Sequence, residues 1–143
     1  MIYSEYLKHI TGCPFCNKKE RYIEELETAF LTYAIAPYSK HHLLVIPKRH
    51  TESFLELKLE ETEDIEALLH MGAKLLEKAG YGDYSILVRS GKEIGRSVKH
   101  LHYHLIPKIE IGSKTLNGEA RVVLEENEIE EMLEEMHRLK EGL

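Results

Sequence analysis

Residues 99–108 read KHLHYHLIPK, with three histidines at alternate positions separated by Leu101 and Tyr103. Alternation among β-favouring residues predicts a strand, and a strand sends residues i, i+2 and i+4 to one face. His100, His102 and His104 are therefore expected on one side, with Leu101, Tyr103 and Leu105 on the other. A strand rises about 3.3 Å per residue, which sets neighbouring imidazoles about 7 Å apart at the backbone and the outer two about 13 Å apart. One metal ion reaches two such rings but hardly three. The spacing favours a division of labour along the segment over a single three-histidine metal centre.

Burying imidazoles side by side costs desolvation unless they share hydrogen bonds, a metal or an anion. The bland alternative, a polar sheet face open to water, fits poorly with the apolar runs that flank them. Six of the nine histidines fall in two places, with His41, His42 and His50 in HHLLVIPKRH and the other three in the alternating segment. His9, His70 and His137 stand alone and read as surface or structural residues.

Elsewhere, strands are predicted over 27–36, 42–47, 84–89 and 98–106, the last two as a hairpin whose long tip contains the turn GKEIG. Helical spacing predicts a core helix over 63–80, with Gly80 as its C-cap, and a final helix over 126–141. Strands in succession with helices set to the side define an α+β class. No repeat or linker interrupts the 143 residues, so 1–143 is expected to form one domain. A net charge of −6 argues against large nucleic-acid partners while leaving room for a local basic site that holds a small anion. No apolar run approaches the roughly 20 residues of a membrane span, and MIYSEYLKHI lacks the features of a signal peptide. The expectation is a cytoplasmic protein with no membrane partner.

Two further motifs bear on chemistry. Gly95, Arg96 and Ser97 precede the histidines, and a glycine, a cation and a hydroxyl together let backbone N–H groups and Ser97 converge on a phosphate. A phosphate held there lies beside His102, whose neutral ring nitrogen is a competent nucleophile near neutral pH. Cys13 and Cys16 form a C-x-x-C pair with three readings: half of a tetrahedral zinc site, a redox pair, or two plain thiols. The redox reading lacks the thioredoxin-like βαβ context it normally needs. For zinc, any two of the clustered histidines would complete the ligand set.

GRSVKHLHYHLIP resembles the signature of the histidine triad (HIT) family, alternating histidines preceded by a G-x-S-V turn. HLLVIPKRH is similar to the family's other hallmark, and CPFC precedes both as in zinc-bearing members; the resemblance runs from about Cys13 to Pro107. It implies an antiparallel sheet with one long helix packed on it, usually in a homodimer. It also implies that His102 attacks the α-phosphorus of a small nucleotide substrate to form a nucleotidyl-histidine. His104, Arg96 and Ser97 would stabilise the phosphate, with His42 nearby and Ile35, Arg89 and Gly95 completing the nucleotide-binding set. Cys13, Cys16, His50 and His100 would hold a structural zinc ion. The implied activity is hydrolysis of nucleoside phosphoramidates or dinucleoside polyphosphates. Nucleotidyl transfer to phosphate or a sugar phosphate is the alternative, disfavoured because transferase branches carry glutamine where this chain has His104. A binding sensor without turnover is another, although pure binding does not require a nucleophile. A histidine-ligated metallohydrolase lacks a suitably spaced carboxylate.

The chain departs from the family pattern twice. Ala34-Ile35 stands where Asp-Ile is common, the aspartate holding ribose hydroxyls, and Arg89-Ser90-Gly91 replaces Asn-x-Gly. The first loses a hydrogen-bond acceptor for the sugar, and the second adds positive charge.

Overall fold

The computed structural model describes residues 1–91, 98–108 and 121–143. Its sheet has five antiparallel strands: β1 (Glu24–Glu25), β2 (Ala29–Tyr33), β3 (Leu43–Pro47), β4 (Tyr84–Val88) and β5 (Tyr103–Pro107), in the order β1-β2-β3-β5-β4. Among the described residues three α-helices accompany it: α1 (Tyr3–His9), α2 (Leu59–Lys78) and α3 (Glu126–Glu141).

The strands β2, β3 and β5 are buried at every position, because both faces of the sheet are covered. Leu31, Leu43, Val45, Leu101, Tyr103 and Leu105 pack with Ile65, Leu68, Leu75 and Leu76 of α2. Phe30, Ala34, Leu44, Ile46 and Val98 form a second cluster on the opposite face with Phe15 of the N-terminal segment. The α2 helix lies close to the sheet at Gly72, where a Cβ would stand 2.5 Å from Leu105 Cδ1. It closes on Gly80, at φ +99°, with Gly80 N–H donating to the Glu77 carbonyl and Tyr81 N–H to that of Leu76.

The α+β class, the pairing of β4 with β5 and the extent of α3 agree with expectation, whereas several element boundaries differ. The strands expected over 27–36 and 42–47 are five residues each, and the helix expected over 63–80 starts four residues earlier, at Leu59. Its start is set by Glu61, whose carboxylate accepts from Lys58 N–H at 2.8 Å while pairing with Arg49. The strand expected over 98–106 is confined to Tyr103–Pro107, so His100 and His102 precede the regular ladder. There Leu101 N–H donates to the Thr51 carbonyl at 2.8 Å, tying the histidine segment to the residue after His50. The unforeseen α1 is short and buries only Tyr3; it is anchored by the C-terminal segment through Tyr3 N–H to the Arg121 carbonyl and Val123 N–H to that of Met1.

Candidate active site and metal cluster

Despite the short ladder, the histidine segment keeps its two-sidedness. Leu101, Tyr103 and Leu105 enter the core under α2, and the imidazoles of His102 and His104 lie together on the other face with ring centroids 4.8 Å apart. Strand register brings in the remaining groups. Leu44 pairs with His104, so His42, two residues before Leu44, is a diagonal neighbour of His104 on the same face. Val88 pairs with Tyr103 at the end of that ladder, and Arg89 follows directly; after burial and the neighbouring imidazoles, its charge also disfavours protonation of His102 and His104.

Hydrogen-bond partners assign the tautomers. Tyr38 N–H donates to His42 Nδ1 at 3.1 Å, which leaves the proton of the neutral ring on Nε2. That Nε2–H donates to His104 Nδ1 at 2.9 Å, so the His104 proton lies on Nε2. His102 Nδ1–H donates to the His100 carbonyl at 2.8 Å, so its Nε2 carries a free lone pair. Burial keeps these rings neutral: it depresses His102 to about 4, His42 to about 3, and His104 well below the usual histidine range. Phe15 stands edge-on to the His102 ring at 5.0 Å. A pocket beside these imidazoles is lined by Phe15, Ala34, Ile35 and Arg121.

The other end of the segment is built differently. His100 Nε2–H donates to the Pro47 carbonyl at 2.7 Å, which turns the lone pair of Nδ1 toward Cys13 Sγ at 3.3 Å and Cys16 Sγ at 3.5 Å. His50 Nδ1 lies 3.4 Å from Cys16 Sγ. All four ligand atoms of Cys13, Cys16, His50 and His100 fall within 4.8 Å of one another. Tetrahedral zinc with Zn–S near 2.3 Å and Zn–N near 2.05 Å requires sulfur-to-nitrogen edges of about 3.5 Å, so the donor set fits that ion in type, number and spacing. Burial and the neighbouring Cys13 thiol push Cys16 up to about 11, which a bound dication would reverse by taking the thiolates. The bond from His100 to a backbone carbonyl is the usual outer support of a metal-ligating imidazole.

The structure thus brings His42, His102, His104 and Ile35 to one pocket and gathers Cys13, Cys16, His50 and His100 in a second cluster. Gly95, Arg96 and Ser97 lie outside the described residues. His41, despite its place in HHLLVIPKRH, serves the fold: at φ +68° it turns away to bond Tyr81 Oη at 2.7 Å and Glu135 at 2.8 Å. Sequence reasoning missed Arg121, which reaches the pocket from a segment without periodicity or motif.

Residues 16–111 match the HIT domain family model. An uncharacterized HIT-like protein, MJ0866 of Methanocaldococcus jannaschii, is 32% identical over 87% of this chain and 98% of its own length. Adenosine 5'-monophosphoramidase hnt1 of Schizosaccharomyces pombe is 41% identical over 58% of this chain and 59% of its own. The bifunctional bis(5'-adenosyl)-triphosphatase/adenylylsulfatase FHIT of Arabidopsis thaliana is 30% identical over 70% of this chain and 57% of its own. Among solved structures, the hypothetical histidine triad nucleotide-binding protein ST2152 of Sulfolobus tokodaii superposes with a TM-score of 0.71 at 24% identity, covering 86% of this chain and 85% of that one. A Zn-bound histidine triad family protein of Mycobacterium smegmatis gives 0.64 at 20%, covering 99% and 96%. The chain belongs to the HIT family, whose named members among these relatives hydrolyse nucleotides.

Proposed function

We propose that this protein is a nucleotide phosphohydrolase working through a nucleotidyl-histidine intermediate on His102. The observation that carries the reading is the tautomer of His102: with Nδ1–H committed to the His100 carbonyl, Nε2 is a neutral, unshared lone pair among buried imidazoles. In the first step Nε2 attacks the α-phosphorus, the bond to the leaving group breaks, and the electron pair departs with that group. The chain from Tyr38 N–H through His42 presents His104 Nε2–H as a donor to a phosphate or leaving-group oxygen or nitrogen as charge builds there. In the second step water attacks the same phosphorus, the P–N bond to His102 breaks with its electron pair returning to Nε2, and a nucleoside monophosphate leaves; the proton given up by the water balances the one that an amine leaving group takes up in the first step, or passes to solvent when the leaving group is a phosphate. Phosphoramidates and dinucleoside polyphosphates are the substrate class, in keeping with the named relatives.

Cys13, Cys16, His50 and His100 are read as ligands of a structural zinc ion, which would tie the N-terminal segment to the start of β5 and hold the carbonyl of His100 against His102. A homodimer is read from the edge strand β4, where Tyr84 and Ile86 are 42% and 49% exposed beside an apolar groove of about 340 Å³ shared with Ile65, Leu69 and Tyr103. Light scattering of Ile86→Lys tests this reading, with a monomer expected and an unchanged assembly against it.

The deciding experiment incubates the protein with adenosine 5'-phosphoramidate and with diadenosine triphosphate, quenches in acid-free denaturant and analyses it by mass spectrometry. An adduct of one adenylyl group on the peptide containing His102 is expected. Tight binding without turnover or adduct would make the protein a sensor instead.

A further inference from the structure

Arg121 is an unspent cation. Its guanidinium is stacked on the Tyr38 ring at 4.0 Å and the Tyr3 ring at 4.8 Å, and Nη1 donates to the Ala36 carbonyl at 3.0 Å. Its Nε is shielded from solvent and has no hydrogen-bond partner among the described residues. Those contacts hold the group between the two rings and leave Nε of a donor fork suited to an oxyanion without a partner. An unsatisfied buried donor on a charged group is costly, so a structure that keeps one repays explanation.

Among the described residues, no carboxylate lines the pocket that Arg121 shares with His42, His102 and His104, and no ion pair involves Arg121 or Arg89. Arg89, directly after β4, is close enough for its charge to act on His102, His104 and Arg121. Burial opposes the charge on Arg121, Tyr38 and Tyr3 favour it, and the Arg89 charge again opposes it. In a chain of net charge −6, two guanidiniums about neutral imidazoles are a local reversal of sign.

We infer that Arg121 is a specificity-determining residue that binds a second phosphate of the substrate, beyond the one attacked by His102. The inference rests on the nucleotide reading of the site and narrows it: the preferred ligand carries two or more phosphates. Neutral His104 and the lone pair of His102 suffice for one phosphoryl group, whereas a buried cation stacked between two rings calls for additional negative charge. That second phosphate belongs either to a polyphosphate chain or to the sugar.

Equilibrium binding separates the sources without requiring turnover. Dissociation constants of AMP, ADP and adenosine 3',5'-bisphosphate are measured by calorimetry on the intact protein and on Arg121→Gln and Arg121→Lys. In the wild type, ADP or the bisphosphate is expected to bind at least about tenfold more tightly than AMP, as for one charge-assisted contact. Arg121→Gln should erase that increment, measured as the ratio of the two dissociation constants within the variant, and Arg121→Lys should restore part of it. The ligand that shows the increment identifies the chain or the sugar as its source. Equal affinity of all three ligands in the wild type, or an increment that survives Arg121→Gln, overturns the inference. If AMP itself does not bind, the nucleotide reading fails; inorganic pyrophosphate, measured in parallel, then decides Arg121 alone, because a site for paired phosphates retains an Arg121-dependent affinity for it. Near-ultraviolet circular dichroism of each variant checks that the Tyr3 and Tyr38 packing persists.

Discussion

His100 and His102 are two residues apart and buried alike, yet their protons sit on opposite nitrogens. His100 gives Nε2–H to the Pro47 carbonyl and turns Nδ1 to the thiols; His102 gives Nδ1–H to the His100 carbonyl and keeps Nε2 free. The difference comes from which backbone carbonyl each ring meets, not from the side chains, which are identical. A single segment thereby turns one ring nitrogen to the thiols at one end and keeps another unshared at the other, the two ends that the proposed function reads as metal ligand and nucleophile. The carbonyl of His100 joins the two ends, so the metal side should influence the chemistry through geometry alone.

The largest expected effect tests the chemical end. His102→Ala should lower turnover by at least about 10⁴-fold while AMP affinity stays within about tenfold, because it removes bonding made only after the ground state. Steady-state rates beside calorimetry check this, and near-normal turnover would dissolve the distinction between the rings. The second effect lies at the other end. Stripping metal with a chelator, or Cys13→Ser, should cost several kcal/mol of stability, since a closed four-ligand site stabilises the fold directly. Thermal denaturation and elemental analysis report it; a metal-free protein with an unchanged Tm would remove the zinc reading.

The third prediction concerns what the buried rings share. His42 and His102 titrate near 3 and 4 in the folded protein, His104 is depressed as well, and an unfolded histidine titrates near 6.5. Because the unfolded chain binds protons that the folded site refuses, stability is present in full above about pH 6.5 and is lost as pH falls toward 4. The slope is about 1.4 kcal/mol per pH unit for each proton. Tm measured from pH 7 to pH 4.5 should fall steeply, and His42→Asn should lower the slope by about one proton. A flat profile would show that these rings are charged in the folded state. The smallest effect concerns Ala34, which is buried beside the imidazoles and cannot accept from a sugar hydroxyl. Ribo- and deoxyribonucleotides should differ in kcat/KM by less than about tenfold, and Ala34→Asp should widen the gap by about the 1.5–3 kcal/mol of a hydrogen bond to a charged group. Strong ribose selectivity in the wild type would assign the sugar contact to another residue.

Local pattern alone carried a good deal. Alternation at 99–108 gave the two faces of the histidine segment, helical spacing placed α2 and α3, and Cys-x-x-Cys marked half of the cysteine and histidine cluster, because each is a property of residues near one another in the chain. Strand ends were less legible. His100 and His102 have β-like neighbours, but their backbone leaves the ladder to meet Thr51, a contact with no local signature. Likewise nothing in HHLLVIPKRH distinguishes His41 from His42; the left-handed backbone at His41 sends one to Glu135 and the other to His104.

Residue types and their periods therefore determined the α+β class, the core helix and the candidate imidazoles and thiols, since burial and strand alternation act over a few residues. Only the tertiary structure decided which nitrogen of each imidazole is protonated, and it alone brought Arg121 to the pocket from outside every motif. For His100 and Arg121 the deciding partners, the Pro47 and Ala36 carbonyls, are distant in sequence and exist only once the sheet has formed; His102 and His42 take theirs from His100 and Tyr38 close by, in a backbone path that the fold sets.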